Sequence, residues 1–350
     1  MSTSRHYEID ALRHRLIRLG LPALILLTAC PATRGQPETR AIPADESAES
    51  LAGAPLVRVA DYQMFEERYG AAAVADGDFL YIIGGRNTYG TCLDSIERFD
   101  TRTGKSKSFG LLQIGRYRPG AVLVGQKIYV LGGFSHPLPH PTNPCEASVE
   151  IFDLATRKTA QATAMPVARA GFACALLDGR IYAIGGEKQQ GDRMIDTATT
   201  DVYDVATDKW TTGVPLPAPR QVVAAVADGR ILVAGGYSGY TSQIAVANVE
   251  SFNSRDQTWQ ILPPLGQPVA ANAVAVLGHR LFLFGNDVPS AHVVIYDLQT
   301  SKSASRPLQF TPVRYPAAAV HDGRIYVVGG ILHGHTVVSD IQVYEPGKGG

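Results

Sequence analysis

Arginine recurs in this chain at a fixed place. Arg68, Arg116, Arg169, Arg220 and Arg314 each stand 15 or 16 residues before a glycine pair, and Arg86 directly follows the first pair. A guanidinium presents its donors as a planar fork that fits a carboxylate or phosphate. Gathered at one opening, these six would make an anion-binding mouth. The same group also serves architecture by donating to loop carbonyls, and spacing alone does not separate the two roles. Two further residues just after glycine pairs, Glu187 and Tyr237, belong to the same candidate ligand-binding set. Glu187 with Arg193 is the candidate catalytic pair, because an acid–base group beside a cation is the minimum that proton transfer needs.

His136 and His140 sit in the proline-rich stretch 134–147, and His333 and His335 in the matching stretch after the last glycine pair. These four are the weak candidates for a metal site, but loop histidines are usually solvated, so neither metal nor cofactor is expected. No nucleophile elbow, zinc-protease or P-loop motif is present in the sequence.

The glycine pairs imply the elements that would carry these residues. They fall at 84–85, 132–133, 185–186, 235–236 and 329–330, with a degenerate copy at Gly285-Asn286. A period near 50 residues marks a blade-type repeat. Each unit reads as an apolar strand, a tight turn such as Asp178-Gly179, a second apolar strand ending at the pair, and a third strand closing on an aromatic. The closing aromatics are Phe99, Phe152, Tyr203, Phe252, Tyr296 and Tyr344. A fourth strand follows, opened by Trp in two copies, Trp210 and Trp259. The 35 glycines and 22 prolines suit many short strands joined by turns.

This pattern resembles the kelch-repeat β-propeller family. The resemblance covers residues 55–350 and implies an all-β, six-bladed kelch-type propeller of four-stranded antiparallel blades. The last unit ends too soon for a fourth strand, while Leu56–Ala60 is a spare strand before the first unit. The ring is therefore expected to close by that N-terminal strand. Cys92 and Cys145 stand at equivalent places in adjacent units, normally too far apart for a disulfide unless their loops bend together; the pairing stays open. Cys174 is expected to be a buried small hydrophobe.

At the N-terminus, four arginines precede the apolar run 21–29, which is too short to span a bilayer permanently but suits an export signal. Leu27-Thr28-Ala29-Cys30 resembles the lipobox of bacterial lipoproteins, so Cys30 is expected to carry lipid and to anchor the chain to a membrane. Pro31 after it suggests the outer membrane, facing the periplasm, in a Gram-negative host. Residues 1–29 are thus the signal peptide and 31–54 a flexible polar tether.

With 32 basic and 32 acidic residues, the chain has no net field to suggest nucleic-acid binding. The reading that follows is an exported, lipid-anchored, monomeric binding module, its partner an unknown envelope protein or an anionic small molecule or sugar. On balance it is not an enzyme. The first alternative is a periplasmic mutarotase or epimerase for an acidic sugar such as sialic acid, an activity found among six-bladed kelch-like propellers. The second is a galactose-oxidase-like copper enzyme.

Overall fold

The computed structural model describes residues 56–135, 145–239, 243–288 and 290–347. The export signal, Cys30, the tether, His136 and His140 lie outside the described residues.

Six four-stranded antiparallel sheets form the blades. Blade 1 holds Ala72–Asp76, Phe79–Ile83, Ser95–Asp100 and Lys105–Leu111. Blade 2 holds Gly120–Val124, Lys127–Leu131, Val149–Asp153 and Thr159–Ala162. Blade 3 is Ala173–Leu177, Arg180–Ile184, Thr200–Asp204 and Lys209–Thr212; blade 4 is Ala224–Ala227, Arg230–Ala234, Val249–Asn253 and Thr258–Leu262. Blade 5 is Ala273–Leu277, Arg280–Phe284, His292–Asp297 and Ser303–Pro307. In blade 6 the strands Ala317–His321, Arg324–Val328 and Asp340–Pro346 are completed by Leu56–Gln63, which runs antiparallel to the C-terminal strand. The closing strand is longer than the sequence suggested, and a bulge between Arg58 and Ala60 interrupts its register.

Burial explains the strand types. The second strand of blade 2, "KIYVL", is buried at every residue after the first, because both of its faces meet neighbouring blades. The fourth strand "TAQA" is at the rim and half exposed. The hairpin turn between strands one and two puts Asp178 and Gly179 at φ 51° and 72°, the pair of positive values a type I′ turn requires.

Among the described residues the core is divided into eight apolar clusters, six of them shared by two adjacent blades. Ile83, Ile96 and Phe109 of blade 1 meet Ile128 and Phe152 of blade 2, and the series continues round to Leu80 and Phe99 of blade 1 against Tyr326 and Ile341 of blade 6. All six closing aromatics are essentially fully buried. No blade covers both its faces alone, so the blades stabilise one another in a ring.

The glycine pairs are the joints of that ring. The second glycine of each full pair donates its N–H to the carbonyl that begins the next blade: Gly85 to Arg116, Gly133 to Arg169, Gly186 to Arg220, Gly236 to Val269 and Gly330 to Arg68. A Cβ on the first glycine would strike the same carbonyl, at 2.6 Å from Arg116 O for Gly84 and 2.7 Å from Val313 O for Gly285. The degenerate pair thus keeps the one glycine that the close approach demands.

Candidate functional site

The recurrent arginines are fixed inside the blades. Arg68, Arg116, Arg169 and Arg220 are at most 1% exposed. Arg116 donates to Gly132 O at 2.9 Å and to Glu150 Oε1 at 2.6 Å. Arg68 repeats this with Gly84 O and Glu97, Arg169 with Gly185 O and Asp201, and Arg220 with Gly235 O and Glu250. Each acid stands two residues before its blade's closing aromatic. In blade 5 both members are replaced together, by Val269 and Val294, and in blade 6 by Val313 and Gln342. The expectation that these four guanidinium forks face a ligand is therefore corrected: each one clamps strand three to the glycine joint.

Arg314 occupies a different place from the other four. Its strand pairing sets Arg314 opposite Ile331, where Tyr69, Tyr117, Ala170 and Gln221 stand opposite Arg86, Phe134, Glu187 and Tyr237. Arg314 is at the mouth and meets Asp287 at 3.1 Å. Arg86 donates to Gly90 O at 2.8 Å and lies 5.8 Å from the Tyr117 ring.

Just inside that level the chain narrows to a ring about the axis, built from Gly70, Arg118, Gly171, Val222, Ala271 and Tyr315. Backbone N–H groups pass from blade to blade: Gly70 to Tyr315 O, Arg118 to Gly70 O, Gly171 to Arg118 O, Val222 to Gly171 O, and Tyr315 to Ala271 O. This geometry forces positive φ at Gly70, Arg118, Gly171, Ala271 and Tyr315. For Arg118 (56°) and Tyr315 (53°) that conformation is strained by about 1–3 kcal/mol each, and such strain gathers at functional sites.

Arg118 reaches across the axis. It donates to Glu187 Oε1 at 2.7 Å and Gln221 Oε1 at 2.8 Å, and its guanidinium lies 5.1 Å from the Tyr315 ring. A side chain at residue 171 would collide with that guanidinium, so Gly171 makes room for it. Burial, the largest influence, pushes the Glu187 carboxyl above its usual range against the pull of Arg118. For Arg118, burial works downward, but Glu187 with Tyr315, Tyr117 and Tyr237 outweighs it and holds the pKa above the usual arginine value. Asp196, which accepts the N–H of Gly239 at 2.6 Å, is also raised by burial.

Aromatic rings wall the opening: Tyr69 packs edge-on against Tyr117 at 5.1 Å, and Tyr117 stacks on Phe134 at 6.0 Å. Opposite, the Tyr237 hydroxyl is buried beside Asp287 and Tyr315 and makes no well-aligned hydrogen bond.

Three arginines, Arg86, Arg118 and Arg314, and three acids, Glu187, Asp196 and Asp287, thus meet at the mouth. It is charge-balanced, with each arginine engaged, and is not the basic funnel expected from sequence. Arg193 is exposed at the far end of the hairpin Glu187–Gln190 and Arg193–Asp196, so Arg118 takes the place beside Glu187 assigned to it. His333 and His335 lie on an exposed turn, and no group of three ligating side chains suited to a metal occurs among the described residues. Cys92 and Cys145 both pack in the Tyr117–Phe134 cluster, and burial raises the Cys145 thiol to about 12. Cys174 lines the axial channel below the ring.

Sequence reasoning missed Arg118, Gln221, Asp196, Asn272 and Tyr315. The usable signal was the residue two after each clamp position: it is glycine at 70 and 171, and arginine or tyrosine where a side chain was to be aimed at the axis.

The architecture defines a six-bladed propeller with a polar axial mouth. Residues 57–212 match the KLHDC2/KLHL20/DRC7 Kelch-repeats domain, and residues 218–266 and 312–349 match the Kelch motif. The chain is a kelch-repeat β-propeller. It is 26% identical over 279 residues to Kelch-like protein 25 of Xenopus tropicalis, covering 77% of this chain and 45% of that one. It is 29% identical over 250 residues to Kelch-like protein terF of Aspergillus terreus, covering 66% and 54%. The chain thus spans about half the length of these curated relatives. Among solved structures it is similar to YjhT, with a TM-score of 0.68 at 14% identity, covering 80% of this chain and 96% of that one. In YjhT the matched propeller fold is nearly the whole chain. That match overturns the expectation that the present chain is not an enzyme.

Proposed function

We propose that the axial mouth is the active site of a mutarotase or epimerase for an acidic sugar, with sialic acid as the representative substrate. The observation that carries this is the Arg118–Glu187 pair, held at the axis on a strained backbone and walled by aromatic rings. Aromatic faces suit the apolar face of a sugar ring, and the polar groups suit its hydroxyls.

The chemistry needs little machinery. Glu187, as carboxylate, takes the proton of the anomeric hydroxyl while the bond from the anomeric carbon to the ring oxygen breaks. Arg118 stabilises the negative charge developing on that oxygen, which then takes the proton back from Glu187. The open-chain ketone rotates and recloses on its other face by the reverse steps, so no proton, electron or co-reactant is consumed. A carboxyl raised by burial and kept beside a cation is suited to both halves of that cycle. The export signal and Cys30 support the cell envelope as the setting.

The test is the exchange rate between the anomers of N-acetylneuraminic acid, followed by proton NMR. Wild type should accelerate it, and Glu187→Gln should lower that acceleration by about 10²–10⁴-fold. A wild-type protein that leaves the rate at its uncatalysed value overturns the reading.

A further inference from the structure

The axial backbone ring has one open link. Its sixth step would run from Ala271 N to Val222 O, and no hydrogen bond joins them. Ala271 N has no other partner among the described residues. The axial cavity onto which this gap opens has a volume of about 100 Å³. Two buried polar side chains line it: the Asn272 amide nitrogen, without a partner in a residue 6% exposed, and the Tyr237 hydroxyl, in a residue 2% exposed, which makes no well-aligned hydrogen bond and lies beside Asp287 and Tyr315. A buried donor left without an acceptor is costly. The three groups around one small cavity are a coherent set, because all of them offer hydrogens, and the Ala271 N–H and the Asn272 amide are not used by the fold.

We propose that this gap is a carboxylate-binding slot, with Ala271 N–H, the Asn272 amide and the Tyr237 hydroxyl as its donors. It rests on the sugar reading for the identity of the molecule that bears the carboxylate, but not for the carboxylate itself. Size supports the assignment. A cavity of about 150 Å³ holds benzene, so this one has room for a carboxylate head and a water or two. The sugar would remain above the ring, at the level of Glu187, with its carboxylate inserted below.

The charges at the mouth point the same way. Arg118, the obvious anion partner, donates to Glu187 and Gln221, and its remaining hydrogens are the ones the reaction assigns to the ring oxygen. Asp287, which interacts with Tyr237 and would repel an anion, is neutralised by Arg314 at 3.1 Å. The acid group of the substrate thus goes to neutral donors, leaving the Arg118–Glu187 pair to the reacting centre.

Binding of pyruvate, a carboxylate without a sugar, tests the slot independently of turnover. Calorimetry at fixed ionic strength, with chloride as the control anion, should show pyruvate binding to wild type. Tyr237→Phe removes a hydroxyl that makes no well-aligned hydrogen bond within the fold and should leave the melting temperature nearly unchanged while weakening pyruvate about tenfold. Asn272→Asp, which turns a donor into an acceptor, should abolish binding, and Asn272→Leu should weaken it if the aspartate variant does not fold. The proposal is overturned if wild type binds no pyruvate, or if Tyr237→Phe and the Asn272 variants bind it normally while Arg118→Ala does not. Pyruvate binding without any anomer exchange would retain the slot and remove the mutarotase reading instead.

Discussion

At the scale of single residues, the chain uses arginine for two purposes that sequence spacing alone does not distinguish. The clamp arginines have fully buried partners: Arg116 and Glu150 are both 0% exposed. Removing one partner of such a pair leaves an uncompensated charge, which costs about 3–5 kcal/mol, whereas replacing both by apolar groups costs far less. Blade 5 already shows the apolar solution, with Val269 and Val294 in the two places. Arg116→Val should therefore lower stability by roughly 3–5 kcal/mol in chemical denaturation, and Arg116→Val with Glu150→Val should recover most of that loss. Glu150 also accepts the N–H groups of Gln113 and Ile114, so recovery should stop short of the wild type. A double variant no more stable than the single one would show that the clamp does not work as a pair.

At the scale of elements, the sequence reported what periodicity and turn chemistry control. The apolar strands, the Asp-Gly hairpins and the glycine joints repeat because each blade solves the same packing problem. The site was harder to read because it depends on register. Arg220 and Arg314 are both 15 residues before their glycine pairs, yet Arg220 is a clamp and Arg314 is one place further on, at the mouth. A one-residue difference in length between strands, invisible to a spacing count, exchanges an interior position for an axial one. Arg118 was passed over for the same reason, as the neighbour of a conspicuous arginine. The joints themselves are testable by comparing two glycines of one blade. Gly323 has φ +67° with open space at its Cβ position, whereas Gly329 has φ +61° with Arg68 O in the way. Gly323→Ala should cost about 1–2 kcal/mol, from backbone conformation alone. Gly329→Ala adds a collision with the next blade and should cost at least about 2 kcal/mol more. Equal losses in thermal melts would mean that the glycine pair serves conformation only, and not the approach of neighbouring blades.

For the whole molecule, the ring makes every part of the axial mouth depend on closure. Arg118 belongs to blade 2, Glu187 to blade 3, Gln221 to the start of blade 4 and Tyr315 to blade 6, so the mouth exists only while all six blades are held in register. Leu56–Gln63 supplies the last covalently distant link, pairing residue by residue with Asp340–Pro346 and adding Leu56 to the core shared by blades 5 and 6. Without it, the edge of Asp340–Pro346 is exposed to solvent and to other chains. Deleting residues 1–54 should leave the melting temperature and the pyruvate affinity unchanged. Deleting residues 1–63 should lower the melting temperature by roughly ten degrees, because seven ladder residues and their packing are lost together. It should also weaken pyruvate binding, although no deleted residue lies at the slot, since Gly70 and Tyr315 lose the blade that fixes their link in the axial ring. Two truncations that melt and bind alike would show that the remaining strands of blade 6 hold the ring closed unaided, and that the mouth does not depend on the N-terminal strand.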